Sequence, residues 1–371
     1  MKIFVTGTRG IPGIQGGVET HCEELYPRLV NMGHDVTISC RKSYQNNHNT
    51  TSYKGVKLVY IPSIQQKSLE AFFHTFLSVI YARSESPDLI HIHAVGPSIM
   101  APIARLLGLK VIVTNHGADY DRQKWGRFAK FILRTGEKLG TLYANQVIAI
   151  SEPIRQTLRV KYKRNNINLI FNGVNKPEKA RKTNFLDSSG IVPGKYLLAA
   201  GRFVPEKGFV DLIKAWEKLP GTKPQLVIAG DSDHETKYSR EIKTLSKKNG
   251  VILTGFVKGE KLNQLFTFAR MFIMPSYHEG LPIALLEALS YDLDVIVSDI
   301  PANKEIKLKA SNFFPVGNVV ALTQAMENKL NVPQKQNYSF LEKEYNWDLI
   351  ASQTEYVYKY YYQNTSMIAQ R

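Results

Sequence analysis

Glu279 and Glu287 stand eight positions apart in His278-Glu279-Gly280-Leu281-Pro282-Ile283-Ala284-Leu285-Leu286-Glu287. The apolar run 271–274 before them reads as a buried strand, and the run after Pro282 as a helix. A helix start offers unpartnered N–H groups and a positive dipole end, so it receives anions. The spacing places Glu279 at that mouth and Glu287 about two turns in, near the same face. Two carboxylates on either side of a phosphate-receptive turn would grip hydroxyls at both ends of a diphosphate, which is the chemistry of a nucleotide sugar. Acids also favour helix starts for the dipole alone, so the pair taken by itself fits a structural role equally well.

A second anion signal precedes it. Gly201-Arg202-Phe203-Val204-Pro205-Glu206-Lys207-Gly208 follows an apolar strand and opens a helix expected over residues 209–219. A departing diphosphate gains negative charge as its bond breaks. Arginine supplies a fixed fork of donors and lysine a compact charge to meet it. The plainer alternative is a solvated basic loop.

The amino-terminal region contributes Gly7-Thr8-Arg9-Gly10-Ile11-Pro12-Gly13-Ile14-Gln15-Gly16-Gly17-Val18-Glu19 between a strand and a helix. Glycines allow close backbone approach to a ligand, and Gly16 and Gly17 stand where bare helix amides would meet phosphate. Thr114-Asn115-His116-Gly117-Ala118-Asp119 ends another strand. A histidine there commonly caps or packs, and His91 and His93 are assigned that ordinary fate. The histidines lack metal-ligand spacing along the chain, so no metal site is expected.

Together, Gly201-Arg202…Lys207-Gly208 and Glu-Gly-Leu-Pro-x4-Glu-Ala at Glu279–Glu287 resemble the retaining GT-B glycosyltransferases of family 4, over nearly the whole chain. The resemblance implies that Arg202 and Lys207 hold the donor diphosphate, Glu279 the donor-sugar hydroxyls and Glu287 the ribose. It sets the backbone at Gly280, Leu281 and Pro282 against sugar and phosphate, although Pro282 has no N–H to give. It brings His116 to the donor sugar and Gly16-Gly17 to the phosphate and acceptor. Val257, after Thr254-Gly255-Phe256, is a base contact on this reading. The opening Gly7–Pro12 stretch with Gly-Gly-Val-Glu is similar to bacterial polysaccharide transferases, rhamnosyltransferases among them. Two departures from the family stand out. Ser290-Tyr291-Asp292-Leu293-Asp294-Val295 replaces Ala-x-Gly-x-Pro-Val, and Ile300-Pro301-Ala302-Asn303 replaces a frequent Gly-Gly.

These residues need strand ends to carry them. Short apolar runs at residues 2–6, 35–39, 56–60, 88–93, 110–114 and 146–150 alternate with helical pattern. A second set follows at 196–200, 225–229, 251–253, 271–274 and 294–297. Continuous apolar strands between helices imply parallel sheets covered on both faces. The expected fold is therefore α/β with two Rossmann-like domains facing across a cleft, the arrangement the resemblance implies as GT-B. Residues 1–174 form the acceptor-side domain, 175–347 the donor-binding domain, and 348–371 a helix returning to the first. The Asn172-Gly173 turn and the polar stretch 176–189 mark the linker.

Composition narrows the class. The chain has 371 residues, 43% hydrophobic, with a net charge of +16. No apolar run reaches membrane-span length, the first strand is too short for a signal peptide, and two cysteines make no disulfide framework. A cytoplasmic protein without a cofactor is expected. Residues 1–175 hold 22 of the 48 basic but only 11 of the 32 acidic residues. That field draws lipid headgroups and diphosphates; no nucleic-acid signature accompanies it. Arg127, Lys130, Arg134 and Lys138 recur on one helical face beside Trp125, Phe128, Phe131 and Ile132, and residues 70–83 add Phe72, Phe73, Phe76 and Leu77. Such a face is either simply solvated or a dock on an anionic membrane surface.

The expected activity is transfer of a sugar from a nucleotide diphosphate to a glycan or lipid-diphosphate-linked acceptor, with retention, in bacterial surface polysaccharide synthesis. One rival is an NAD(P)-dependent sugar-nucleotide epimerase or reductase, from Thr6-Gly7-x-x-Gly10-x-x-Gly13 and Tyr120-x-x-x-Lys124. It leaves Arg202, Lys207, Glu279 and Glu287 unused, and places Arg41-Lys42 where NAD needs an acid. The other rival is a non-catalytic sugar-nucleotide binding protein.

Overall fold

The computed structural model describes residues 1–44, 50–63, 70–118, 120, 126–332 and 336–369, the last eight as backbone only. The chain divides into two compact units, Met1–Gly173 with Trp347–Arg371, and Val174–Asn346.

The first unit is built on strands β1 (Lys2–Thr6), β2 (Asp35–Arg41), β3 (Ser52–Tyr53), β4 (Val56–Ile61), β5 (Leu89–His93), β6 (Val111–Asn115), β7 (Gln146–Ala149) and β8 (Ile167–Leu169). Their order is β3-β4-β2-β1-β5-β6-β7-β8, parallel throughout except where β3 meets β4. Strands β5 and β6 are buried along their whole length, as a sheet covered on both faces requires. Phe4, Ile90, Ile92, Val111, Val113 and Val147 lie in one core, completed by helix residues such as Val79, Ala104 and Leu158.

The terminal helix Trp347–Ala369 belongs to this unit. It packs on the helix Gly17–Asn31 through an Arg28–Asp348 ion pair, and on the turn after that helix through a His34–Glu355 bond. Gly173 is needed for that docking, because a Cβ there would stand 2.6 Å from the Trp347 ring.

The second unit carries β9 (Tyr196–Ala200), β10 (Gln225–Ala229), β11 (Ile252–Gly255), β12 (Met271–Met274), β13 (Val295–Ser298) and β14 (Phe313–Phe314), all parallel, ordered β11-β10-β9-β12-β13-β14. Strand β9 is central, and the order reverses across it. The core joins Leu197, Ala199, Ile228 and Ile273 to Phe209, Leu212, Ile213 and Trp216 of the helix Phe209–Glu217. Each fully buried side chain of this kind contributes about 1.5–3 kcal/mol relative to exposure.

Two local expectations are revised. The stretch expected as linker contains the helix Asn184–Ser188, fixed by buried Leu186 and by the Phe185 N–H donating to Gln264. The helix after Pro282 begins only at Ile283, so Glu287 is its fifth residue, about one turn in rather than two. Proline holds its position in extended backbone, with φ −79° and ψ 105°, which keeps Glu279–Leu281 in the preceding loop.

Candidate active site

In the second unit charged residues lie past neighbouring strand ends. Arg202 and Lys207 follow β9, Asp231 and Asp233 follow β10, and Glu279 follows β12. This is the carboxyl edge of an open parallel sheet, where such folds receive ligands.

Lys207 Nζ donates to Glu279 Oε1 at 2.6 Å, across 72 positions of sequence. The same oxygen accepts from Ser276 Oγ at 2.7 Å. Arg202 Nη1 lies 3.3 Å from Asp233 Oδ2. Both cations therefore already face carboxylates. Gly208 makes the Lys207–Glu279 approach possible: it has φ +66°, and a Cβ there would lie 2.2 Å from the Pro275 carbonyl oxygen. Glu206, between the two cations, is 5% exposed, and neither carboxylate oxygen finds a hydrogen-bond partner among the described residues. Sequence inspection passed it over, because an acid between two bases reads as a solvated loop.

Glu287 and Gly280 are half-buried, while Leu281 and Pro282 are buried beneath the loop. Val257 lies past β11 at partial exposure, next to the exposed Phe256 ring. The departure at residues 300–303 forms the short helix Pro301–Lys304, whose Asn303 donates to the Ser298 carbonyl. Asp292, in the other departure, takes φ +61°.

In the first unit the glycine loop is held by an internal ion pair. Arg9 Nε donates to Glu19 Oε1 at 3.1 Å and Nη2 to Oε2 at 3.2 Å; Arg9 Nη2 also donates to the Gln15 carbonyl. The side chains are only 10% and 7% exposed. Gly16 lies beside them: a Cβ there would stand 2.1 Å from Glu19 Oε2 and push that carboxylate from its place. Gly17 opens the helix directly after it.

His116 does not stand alone. Its Nε2 lies 2.9 Å from His93 Nδ1, and its ring meets that of His21 edge-on at 4.9 Å. His21 Nδ1 is 2.9 Å from Asn172 Oδ1. Tyr26 Oη bonds to His93 Nε2 and, at 3.0 Å, to His91 Nδ1. His91 reaches Tyr358 Oη at 2.6 Å and Thr114 Oγ1 at 2.7 Å. Burial lowers His21 from 6.5 to about 4, against the Asn172 bond that raises it, and lowers His91 to about 3. Burial first, then neighbouring imidazoles, holds His93 and His116 well below the usual range. These rings are neutral at pH 7. His91 and His93 are buried, as a packing role requires, and they pack within a shared histidine cluster. His21, and Tyr358 of the terminal helix behind His91, left no signal in the local sequence.

Of the pair that the epimerase reading needs, only Tyr120 is among the described residues. Tyr120 Oη donates to the buried Glu137 carboxylate at 3.1 Å and accepts from Lys161 at 3.2 Å. Asp119, Lys124 and Trp125 lie outside the described residues.

Comparison with known proteins settles the family. Residues 15–176 match the model described as Glycosyltransferase Family 4, and residues 181–346 the model described as Glycosyl transferases group 1. The chain is a family 4 glycosyltransferase. It is a retaining, nucleotide-sugar-dependent enzyme with the GT-B fold. An uncharacterized glycosyltransferase of Methanocaldococcus jannaschii is 26% identical, over 97% of this chain and 98% of its own. A GDP-mannose:cellobiosyl-diphosphopolyprenol alpha-mannosyltransferase of Xanthomonas oryzae is 27% identical over 58% of this chain and 57% of its own. Among solved structures, sucrose-phosphate synthase from Thermosynechococcus elongatus superposes with a TM-score of 0.83 at 20% identity, covering 98% of this chain and 99% of that one. The glycosyltransferase therefore stands apart from both rival readings, the nicotinamide enzyme and the non-catalytic binder.

Proposed function

We propose that the enzyme transfers a sugar from a nucleotide diphosphate donor to a glycan or lipid-diphosphate-linked acceptor in bacterial surface polysaccharide synthesis. The observation that carries this reading is the grouping of Arg202, Lys207 and Glu279 past the adjacent ends of β9 and β12, with Lys207 and Glu279 in direct contact. Arg202 and Lys207 take the diphosphate and stabilise its growing charge. Lys207 exchanges Glu279 for phosphate oxygens, which releases Glu279 to the sugar hydroxyls. Glu287 holds the ribose, Val257 the base, and the Gly280-Leu281-Pro282 turn lies against sugar and phosphate. In the first unit, His116 contacts the sugar, and the Gly16-Gly17 turn contacts phosphate and acceptor. The acceptor attacks the face the diphosphate leaves, and the leaving phosphate takes its proton. No metal enters this scheme.

The acceptor class draws support from the Xanthomonas relative, whose name specifies a diphosphopolyprenol. The basic face adds to it. Arg127, Arg134 and Lys138 of the helix Arg127–Tyr143 are exposed, and Phe128 and Phe131 are 71% and 66% exposed beside them. Phe76 and Leu77 of the helix Glu70–Glu85 are also exposed. We assign this surface to the anionic inner face of the plasma membrane, each basic residue contributing about 1 kcal/mol near the headgroups. No helix among the described residues is long and apolar enough to cross a membrane, and the attachment proposed for this surface is peripheral.

Calorimetric titration with UDP, GDP, ADP and dTDP tests the site. One nucleotide should bind, and Arg202→Ala should weaken it at least about tenfold, or 1.4 kcal/mol. Unchanged affinity would remove Arg202 from the phosphate.

A further inference from the structure

The histidine cluster of the first unit has the makings of a metal site. Each of His21, His93 and His116 offers a ring nitrogen, and these three lie within 4.8 Å of one another. They come from the helix Gly17–Asn31, the last residue of β5 and the loop after β6, so three separate elements fix them.

Their protonation suits ligation. Metals take neutral imidazole, and burial keeps all three rings neutral at physiological pH. The neighbours also set the tautomers. An amide oxygen only accepts, so Asn172 Oδ1 draws the proton of His21 to Nδ1 and leaves the lone pair on Nε2. Tyr26 Oη can accept from His93 Nε2, which leaves the lone pair of His93 on Nδ1, the atom 2.9 Å from His116 Nε2. A hydrogen-bonded partner behind a ligating histidine is the usual second layer of a metal centre. Tetrahedral ligation at about 2.1 Å places ligand nitrogens about 3.4 Å apart. The cluster reaches that if the 2.9 Å His93–His116 separation opens by about 0.5 Å and the widest one, at most 4.8 Å, closes by at most about 1.4 Å. His21 and His93 are buried while His116 is half-buried, so His116 is the ring of the three nearest solvent; three protein ligands would leave the fourth position of a tetrahedral metal to water.

We propose that His21, His93 and His116 form a three-histidine site for zinc or a similar divalent transition metal, and that occupation of this site inhibits the enzyme. The inhibitory half rests on the reading of His116 as a sugar contact, because a metal there takes the ring nitrogen and the space beside it. The site is regulatory; the transfer reaction does not run through it.

Cobalt(II) is the direct probe. Titrated into the purified full-length chain, it should bind one equivalent, give the visible absorption of four-coordinate cobalt and be displaced by zinc. His21→Gln should weaken binding at least about tenfold. Asn172→Ala, which keeps all three ligands, should weaken it about ten- to a hundredfold. Because His21→Gln could disturb packing, each variant is first compared with wild type by circular dichroism and thermal unfolding, and Asn172→Ala serves as the second, milder test. Absence of the cobalt band, or a band unchanged in both variants, overturns the site. Zinc should also lower sugar transfer in wild type at the concentration that displaces cobalt. A cobalt band without zinc inhibition would keep the metal site but overturn its inhibitory role and the placing of His116 at the sugar. Loss of transfer in His116→Ala without any cobalt band would do the reverse.

Discussion

The two units anchor their glycine-bearing loops with ion pairs of different character. In the first, Arg9 and Glu19 pair at 3.1 Å with side chains 10% and 7% exposed. In the second, Lys207 and Glu279 pair at 2.6 Å with side chains 20% and 12% exposed. The first pair is enclosed and multiply bonded, which suits a fixed support. The second lies at the strand edge that receives ligand, joined through one lysine, a point charge able to exchange partners. Similar contacts thus serve opposite ends: one holds backbone still, and on the proposed function the other holds two binding groups in reserve. The surrounding chemistry differs as well. The first unit gathers neutral imidazoles around His93, and the second gathers charges around Lys207.

This contrast can be broken or sharpened by experiment. Glu19→Ala removes the carboxylate to which buried Arg9 donates, so it should lower unfolding free energy by about 3–5 kcal/mol. Denaturant unfolding measures this, and a loss below about 1 kcal/mol would make the pair no more structural than a surface one. The histidine cluster should make stability fall with acidity. In the unfolded chain these rings titrate near 6.5, whereas folded His21 titrates near 4 and folded His91 near 3. The unfolded state binds more protons between those values, so stability is full above pH 6.5 and lost as pH falls toward 4. Each neutral ring steepens the loss by about 1.4 kcal/mol per pH unit. Unfolding curves across that range check it, and a flat profile would mean the rings are already charged.

Lys207→Ala should reverse the balance seen at Glu19. Turnover should drop at least about tenfold, about 1.4 kcal/mol of barrier, while stability changes by about 1 kcal/mol at most. Release of nucleoside diphosphate and thermal unfolding, measured side by side, separate the two; a protein that unfolds early but turns over normally would assign Lys207 to structure. The smallest effect is expected at Glu287. Glu287→Ala should weaken nucleotide affinity by about 1 kcal/mol, several-fold, with the maximal rate nearly kept. An unchanged dissociation constant would take Glu287 away from the ribose.

Much of this architecture was legible in one dimension. Residues 2–6, 196–200, 225–229 and 271–274 are strands as the apolar runs indicate, because central parallel strands are buried on both faces and cannot disguise it. The short edge strands β3, β8 and β14 span two or three residues, too few for a period to register. Helix Asn184–Ser188 escaped because Leu186 and the Gln264 contact fix it, while its own residues favour turns.

The same division holds for the sites. Residue chemistry and spacing alone determined that Arg202, Lys207 and Glu279 sit at strand-to-helix junctions and Glu287 in the helix after the last of them, since those positions depend on neighbours a few residues away. Only the tertiary structure brought Lys207 onto Glu279, Arg9 onto Glu19 with Gly16 beneath them, and His21 to His93 and His116, with Tyr358 from the far end of the chain behind His91. Such contacts depend on strand order and on where the terminal helix docks. Both are decided by the packing of whole apolar faces, which no short stretch of sequence contains.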